Sequence, residues 1–422
     1  MNRKQVTIIF LLGILLILPA LSFAQWDNKV FKKGIETVQC HKAGFPLNPP
    51  IIALASQDRV AFSFDDLNDE QSTYYYSIQH CTSDWESSDI QLFDYMKGFN
   101  ENELYEYSYS VNTLQDYTHF SLELPNREVE LLLSGNYIIK VFEGMDQSKL
   151  VLTQRFIIYE NEVSIKINVK TSSVVADKDY RQEVDFTVNT GRLKVFNPFE
   201  EIKVLVMQNM RWDNAIYGLQ PKFIKGSELI YDFEEKSSFD GGNEFRNFDI
   251  KDLRFQSDRI AAINEDSALT RVFLHPDEKR TFKRYTSWED LNGNYLIKID
   301  NVISPEIEGD YVWVYFTLPF DFPVNDAGIY IGGQFSNYTY SDKYKLHYDF
   351  DDHAYKTRLL LKQGYYNYAY FLVQNGENFG QIDYIEGSHY QTINDYMVIV
   401  YYHDLDKMYD RVVGLQYAVS RL

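Results

Sequence analysis

The chain has 422 residues, with 61 acidic and 41 basic side chains and a formal net charge of −20 at pH 7. This excess of carboxylates argues against nucleic acid as a partner, because phosphate binding requires a basic surface. Tyrosine and phenylalanine are abundant, at 34 and 29 residues, and aromatic side chains favour strands. We expect most of these rings to pack in sheets and a smaller number to face a partner.

The first 24 residues have the pattern of an export signal. Asn2-Arg3-Lys4 is cationic, residues 8–21 are apolar, and Ser22-Phe23-Ala24 offers small residues at the cleavage positions. Cleavage is therefore expected between Ala24 and Gln25. An uncleaved anchor is the alternative, which the short apolar stretch disfavours. No cysteine follows for lipid attachment, and no later segment approaches the ~20 apolar residues of a membrane helix. We expect a soluble protein exported to the periplasm.

The rest of the chain predicts an all-β fold of closely packed sandwich domains. Short aromatic and β-branched segments recur between turn residues, and helical periodicity is rare. We place an N-terminal sandwich at residues 25–160, a middle sandwich at 161–305 and a C-terminal sandwich at 306–422. A strand is expected at 74–81, a short helix within 89–98, and a hairpin that pairs 137–142 with 150–159. Residues 237–280 are polar and predict a long irregular excursion.

Two cysteines, Cys40 and Cys81, lie in the first predicted sandwich. An oxidising compartment would allow a disulfide between them. The alternation of the strand around Cys81 leaves the burial of its side chain undecided. The sequence therefore leaves the disulfide open.

The sequence lacks the motifs of a reaction centre. It contains no nucleophile elbow, zinc helix, phosphate-binding loop or dinucleotide fingerprint. His347 and His353 flank an Asp-rich run, but such a run more often solvates a hairpin than binds a metal. We predict a protein that is not an enzyme, with no cofactor, no metal and no small-molecule ligand. The aromatic strands leave a periplasmic carbohydrate-binding sandwich as the alternative, with Tyr366 as its test residue.

An ordered series of short motifs extends over nearly the whole chain after the export signal. In chain order these are Asn48-Pro49-Pro50, Phe64-Asp65-Asp66-Leu67, His80-Cys81-Thr82-Ser83-Asp84-Trp85, Tyr107-Ser108-Tyr109, Ser134-Gly135-Asn136-Tyr137, Gln208-Asn209-Met210-Arg211-Trp212-Asp213, Gly241-Gly242-Asn243-Glu244-Phe245-Arg246, Asp290-Leu291-Asn292-Gly293, Lys362-Gln363-Gly364-Tyr365-Tyr366 and Glu386-Gly387-Ser388-His389. The series resembles the plug protein family of the type IX secretion system.

The resemblance implies a stack of immunoglobulin-like domains of the early-set kind. It also implies a non-enzymatic periplasmic subunit of the secretion machinery, peripheral to the inner face of the outer membrane. The implied partner is the giant outer-membrane translocon barrel, whose periplasmic opening the protein seals when no substrate is in transit.

Five side chains are candidates for contact with that partner. Aromatic and arginine side chains on loops are typical interface anchors, and the candidates are Trp85, Arg211, Trp212, Phe245 and Arg246. Each also has a structural alternative. Trp85 could pack in the first sandwich core, and the two arginines could pair with neighbouring acids.

Overall fold

The structure, a computed structural model, describes residues 26–68, 72–191, 193–265 and 269–421. The predicted signal segment, with Ala24 and Gln25, lies outside the described residues. Strands account for nearly all regular structure, which confirms the all-β prediction. The α-helices are single turns: α1 (Leu92–Tyr95), α2 (Pro198–Glu201), α3 (Pro305–Glu308) and α4 (Asp383–Glu386). In the described part of the chain, no helix has the length and apolar character needed to cross a membrane.

The N-terminal unit is a sandwich of two main sheets. Its strands are β1 (Lys29–Val30), β2 (Ile35–Lys42), β3 (Ile51–Ala53), β4 (Val60–Asp66), β5 (Tyr74–Cys81), β6 (Met96–Gly98), β7 (Asn102–Glu103), β8 (Tyr107–Tyr109), β9 (Thr118–Leu124), β10 (Val129–Leu131), β11 (Gly135–Glu143) and β12 (Leu150–Tyr159). One sheet has the order β1-β12-β11-β5-β7, with β3 parallel to β12, and the other has the order β2-β4-β9-β8. The predicted strand, helix and terminal hairpin are all present.

Alternation along the strands builds the core of this unit. On β4, Val60, Phe62 and Phe64 are buried and face the opposite sheet, because successive side chains of a strand point to opposite faces. Phe64 stacks on Phe120 of β9 and meets Tyr74 of β5 edge to face. These aromatic contacts join the two sheets, as expected for rings with β propensity.

The middle unit combines two distant stretches of the chain. Its strands are β13 (Ser164–Thr171), β14 (Arg181–Asn189), β15 (Ile202–Gln208), β16 (Ile216–Tyr217), β17 (Phe223–Lys225), β18 (Glu228–Tyr231) and β19 (Ser238–Asp240), joined by the last two strands of the chain. One sheet has the order β13-β14-β18-β17, with β19 on β14. In the second sheet, β15 pairs with a strand at Asp395–Asp404, which pairs in turn with one at Tyr409–Val419.

The third unit takes the chain between these two stretches. Its strands are β20 (Arg246–Asp249), β21 (Ile260–Asn264), β22 (Arg271–Leu274), β23 (Tyr295–Ile297), β24 (Tyr311–Pro319), β25 (Ala327–Gly332), β26 (His347–Asp349), β27 (Ala354–Lys362) and β28 (Gly364–Gln374). One sheet has the order β21-β22-β24-β27-β26, and β28 pairs with β20, β23 and β25 in the facing sheet. The closing strands of the middle unit are β29 (Asp395–Asp404) and β30 (Tyr409–Val419).

The sheets therefore divide the chain differently from the predicted boundaries at 305 and 306. β20 to β23 belong with the strands that follow residue 306, whereas β29 and β30 return to the middle unit. The core of the middle unit shows the same division, since Val184 and Val206 pack with Val398 and Val413. The predicted irregular excursion at 237–280 is also wrong, because it contains the four strands β19 to β22.

Candidate functional site

Trp85 and Trp212 meet at the seam between the N-terminal and middle units. Their ring centroids are 5.2 Å apart with the planes at 87°, an edge-to-face contact. The Arg155 guanidinium lies 4.4 Å from the centroid of Trp85 and 4.6 Å from that of Trp212. Its Nε donates to the carbonyl of Trp26 at 2.8 Å, and Asp27 supplies a carboxylate at 2.6 Å. We call Trp85, Arg155 and Trp212 the seam cluster.

The backbone around Trp85 explains the motif that contains it. Trp85 has a positive φ of 64° and donates its backbone N–H to Thr82, which closes a tight turn after β5. The backbone N–H of Ser83 donates to Asp410 Oδ2 at 2.7 Å, which attaches this turn to β30. Asn136 supports the turn by donating to the carbonyl of Thr82. The turn therefore joins two units, which directs the Trp85 ring inward.

His80 and Gly135 explain a second pair of motifs. Gly135 has a φ of 151°, and a Cβ at this position would lie 2.2 Å from His80 Nε2. His80 is fully buried between the Ser88 hydroxyl, 2.9 Å from Nδ1, and the Ser134 carbonyl. Burial lowers the pKa of His80 to about 4, and the contact with Ser134 opposes this shift only in part. His80 is therefore a neutral packing residue at neutral pH.

Arg211 joins the middle unit to the third unit. Its guanidinium forms a bidentate pair with Asp213, at 3.0 and 2.7 Å, and donates to the carbonyl of Gly380. The hydroxyl of Tyr340 donates to the same Asp213 carboxylate at 2.7 Å. Arg211 is 3% exposed, so its donors are used inside the protein.

Arg246 and Phe245 are also held internally, in the third unit. Arg246 contacts Glu386 at 2.9 Å and Asp277 at 2.8 Å, and Arg280 contacts the same Glu386 carboxylate at 2.7 Å. Burial alone would raise the pKa of Glu386, but the two guanidinium groups hold it at about 2. Phe245 is 3% exposed and packs with Tyr338.

The five predicted contact side chains therefore do not form an exposed surface. Trp85, Arg211 and Phe245 are buried, and Trp212 and Arg246 are half-buried. Their burial does not favour the predicted contact with a partner, because their side chains pack and bond within the protein. The structural alternative holds for both arginines, which pair with acids. Trp85 packs at the seam rather than in the core of the first sandwich.

Cys40 and Cys81 are both free thiols. Cys40 packs against the core between the two sheets of the N-terminal unit, whereas Cys81 lies on the opposite face of β5 with the seam cluster. The two side chains thus enter different cores. Burial raises the pKa of the Cys81 thiol to about 12, so it is an unreactive packing residue.

Tyr366, the test residue of the carbohydrate alternative, is also in the interior. It is 1% exposed and stacks between Phe248, at 5.2 Å, and Tyr295, at 5.4 Å between ring centroids. A sugar cannot stack on a ring that is already covered on both faces. Tyr366 is therefore not available as a stacking platform for a glycan.

Sequence reasoning missed two features of the site. Arg155 had no neighbouring motif, although it organises the seam cluster. Lys362 was part of a motif, but its role depends on Asp65 from a distant strand, which accepts a bond from Lys362 Nζ at 2.6 Å and another from Tyr311. Both Lys362 and Asp65 side chains are 1% exposed. Nothing local to these residues signals a pair separated by almost 300 positions.

Glu183, Asp185 and Asp232 form a group of carboxylates whose oxygens lie close enough to bind a metal cation. The Lys170 ammonium lies 3.0 Å from Glu183 and 2.6 Å from Asp185. A lysine thus already supplies positive charge to this group. The carboxylates of Glu183 and Asp185 therefore form an ion pair with this lysine.

Comparisons with known proteins place these observations in a family. Residues 35–160 match the family model described as type 9 secretion system plug protein 1st domain. The crystal structure of a hypothetical protein from Parabacteroides merdae is 31% identical, with a TM-score of 0.91, and the match covers 94% of this chain and 100% of that one. A comparison with curated proteins finds no match.

Proposed function

Since this chain belongs to the type 9 secretion system plug family, we propose that it is a non-enzymatic periplasmic subunit that seals an outer-membrane translocon barrel. In this proposal the protein binds the periplasmic opening of the giant barrel when no substrate is in transit. It is released when a substrate passes.

The observation that carries the proposal is the way in which the three units are joined. The seam cluster, the bond from Arg211 to the Gly380 carbonyl and the Lys362 pair with Asp65 use buried polar groups to fix one unit against another. A protein that closes a wide opening must present a large preformed surface, because ordering mobile domains on binding would cost affinity. Buried links between the units meet that requirement.

The charge of the chain supports a reversible contact. At −20, the net charge of the chain favours solubility over self-association. Release also requires a contact with a polar, hydrated rim rather than a wholly apolar interface. We expect this rim to contribute ion pairs, so that the complex with the barrel weakens as the ionic strength rises.

The proposal is tested by affinity purification of the tagged full-length chain from detergent-solubilised outer membranes. A very large barrel protein should be recovered with the wild-type chain and not with a tagged unrelated periplasmic protein. Deletion of the gene should make the envelope more permeable to a large antibiotic that intact outer membranes exclude. Failure to recover the barrel, or unchanged permeability, would contradict the proposal.

A further inference from the structure

The five-stranded sheet of the third unit has one face that another unit covers only in part. Its inner face is apolar, with Val312, Val314 and Phe316 of β24 at 1% exposure or less. The alternate residues of β24 point outward, and two of them, Trp313 and Tyr315, are only half-buried. This outer face therefore carries large aromatic side chains where a solvated sheet face is normally polar.

On this side of the sheet, the N-terminal unit covers the first row of side chains. Tyr311 and Lys362 are directly opposite each other on β24 and β27. Asp65 approaches this row from the N-terminal unit and accepts hydrogen bonds from both side chains on a single oxygen, Oδ2, at 2.7 and 2.6 Å. The first row is thus a tyrosine and a cation that together hold one carboxylate.

A similar pair recurs farther along the same two strands. Tyr315 lies opposite Arg358 in the same register, four residues along each strand from the first row. Arg358 Nη1 donates to the Tyr315 hydroxyl at 3.2 Å, and its guanidinium lies 4.5 Å from the centroid of Trp313. Phe273 stacks on the other side of Tyr315, with 4.5 Å between ring centroids. We call Trp313, Tyr315, Phe273 and Arg358 the outer face.

The two rows differ in whether a carboxylate of the protein binds the cation. Within the described ranges, no carboxylate pairs with Arg358, which is exposed. The contact with Trp313 and the bond to Tyr315 hold the Arg358 guanidinium in position. The other N–H groups of Arg358 remain available to a ligand that accepts two hydrogen bonds. Arginine held in this way is suited to recognise a carboxylate, and aromatic and arginine side chains recur at the centres of protein interfaces.

We propose that the outer face is the docking surface for an acidic segment of the translocon barrel, with an Asp or Glu carboxylate of that segment bound by Arg358 and Tyr315. This inference rests on the proposed function and names the surface that makes the contact. The surface is continuous with the internal contact at Tyr311 and Lys362, where Asp65 shows the carboxylate that such a pair receives.

A photocrosslinker tests the location of the contact. The photoreactive residue p-benzoylphenylalanine replaces Thr317, which lies on the same side of β24 one position beyond Tyr315 in the alternation. In cells with the intact secretion system, irradiation should join this position to a peptide of the barrel that contains Asp or Glu. A crosslink only to other proteins would overturn the inference.

Charge reversal tests the chemistry. Arg358→Glu should lower both the crosslink yield and barrel recovery by about tenfold or more. Arg284→Glu is the matched control, since Arg284 is an exposed arginine of the same unit, and it should leave both unchanged. Replacing the acidic residue of the crosslinked peptide by Arg should restore binding of the Arg358→Glu variant.

The outcomes separate this inference from the proposed function. If the wild-type chain does not recover the barrel, the proposed function fails. If the wild-type chain and Arg358→Glu recover it equally, the barrel remains the partner and only the docking surface is wrong. Binding of polygalacturonate that Arg358→Glu abolishes, with barrel recovery unchanged, would also overturn the inference by assigning the outer face to an acidic glycan.

Discussion

Two arginines of this molecule lie over tryptophan rings, one at the seam and one on the outer face. Arg155 contacts Trp85 and donates to the Trp26 carbonyl, with its side chain 4% exposed. Arg358 contacts Trp313, is exposed, and donates only to a tyrosine hydroxyl among the residues that the structure describes. The ring contact is alike in both. The difference lies in whether the remaining donors are satisfied within the protein, and that decides whether the pair stabilises the fold or is available to a partner.

The largest expected effect comes from removing each tryptophan in turn. Trp85→Ala should lower the free energy of unfolding by about 3 to 5 kcal/mol, because it opens a cavity at the seam. Trp313→Ala should cost about 1 kcal/mol, since its side chain is only half-buried. Urea denaturation followed by circular dichroism measures both.

The two tryptophan variants should also differ in how well they recover the barrel. Barrel recovery should fall with Trp313→Ala, a variant that remains folded under native conditions. Equal destabilisation by the two substitutions would contradict the division between seam and outer face.

The seam shows what the sequence could and could not predict. The strand at 74–81, the hairpin of β11 and β12 and the all-β class followed from local propensity and turn residues. The direction of the Trp85 side chain did not, because it depends on a bond between Ser83 and Asp410 from the far end of the chain. Residue type indicated an important aromatic side chain, and only the tertiary contacts distinguished an internal role from an exposed one.

The domain boundaries illustrate the same limit. β29 was recognisable as a strand from its apolar residues, but its partner could not be read from local pattern. It pairs with β15, nearly 200 positions earlier, in full register from Ile202 with Tyr402 to Gln208 with Tyr396. Strand pairing at this separation depends on the whole fold, so sequential division of the chain assigned β29 and β30 to the wrong unit.

A smaller effect is expected at the first row, Tyr311 and Lys362, which the N-terminal unit covers. Asp65→Asn should lower the free energy of unfolding by about 3 kcal/mol, because it leaves the buried Lys362 ammonium without a charged partner. The amide oxygen can still accept the hydrogen bonds from Lys362 and Tyr311, which limits the loss. Thermal and urea denaturation provide the measurement.

Lys362→Met separates the contribution of the buried charge to stability from that of side-chain packing at the first row. The double variant Asp65→Asn, Lys362→Met should recover part of the stability lost in Asp65→Asn, since no buried charge remains. By contrast, Arg358→Glu should change stability by about 0.5 kcal/mol or less. A large loss in Arg358→Glu would mean that the second row, like the first, serves the fold.

The last effect concerns pH and the turn that carries Trp85 at the seam. The folded-state pKa of His80, about 4, lies below its ordinary value of 6.5. Between these values the unfolded chain binds a proton that the folded protein does not, so stability falls as the pH falls. From pH 8 to pH 5, His80 should account for a loss of about 2 kcal/mol in the free energy of unfolding.

His80→Gln should remove this part of the pH dependence, whereas His353→Gln, at an exposed position, should retain it. Because the His80 ring lies 5.6 Å from that of Tyr409 on β30, protonation acts on the junction that holds the turn of Trp85 against the middle unit. Parallel pH profiles for wild type and His80→Gln would show that this junction does not depend on a neutral imidazole.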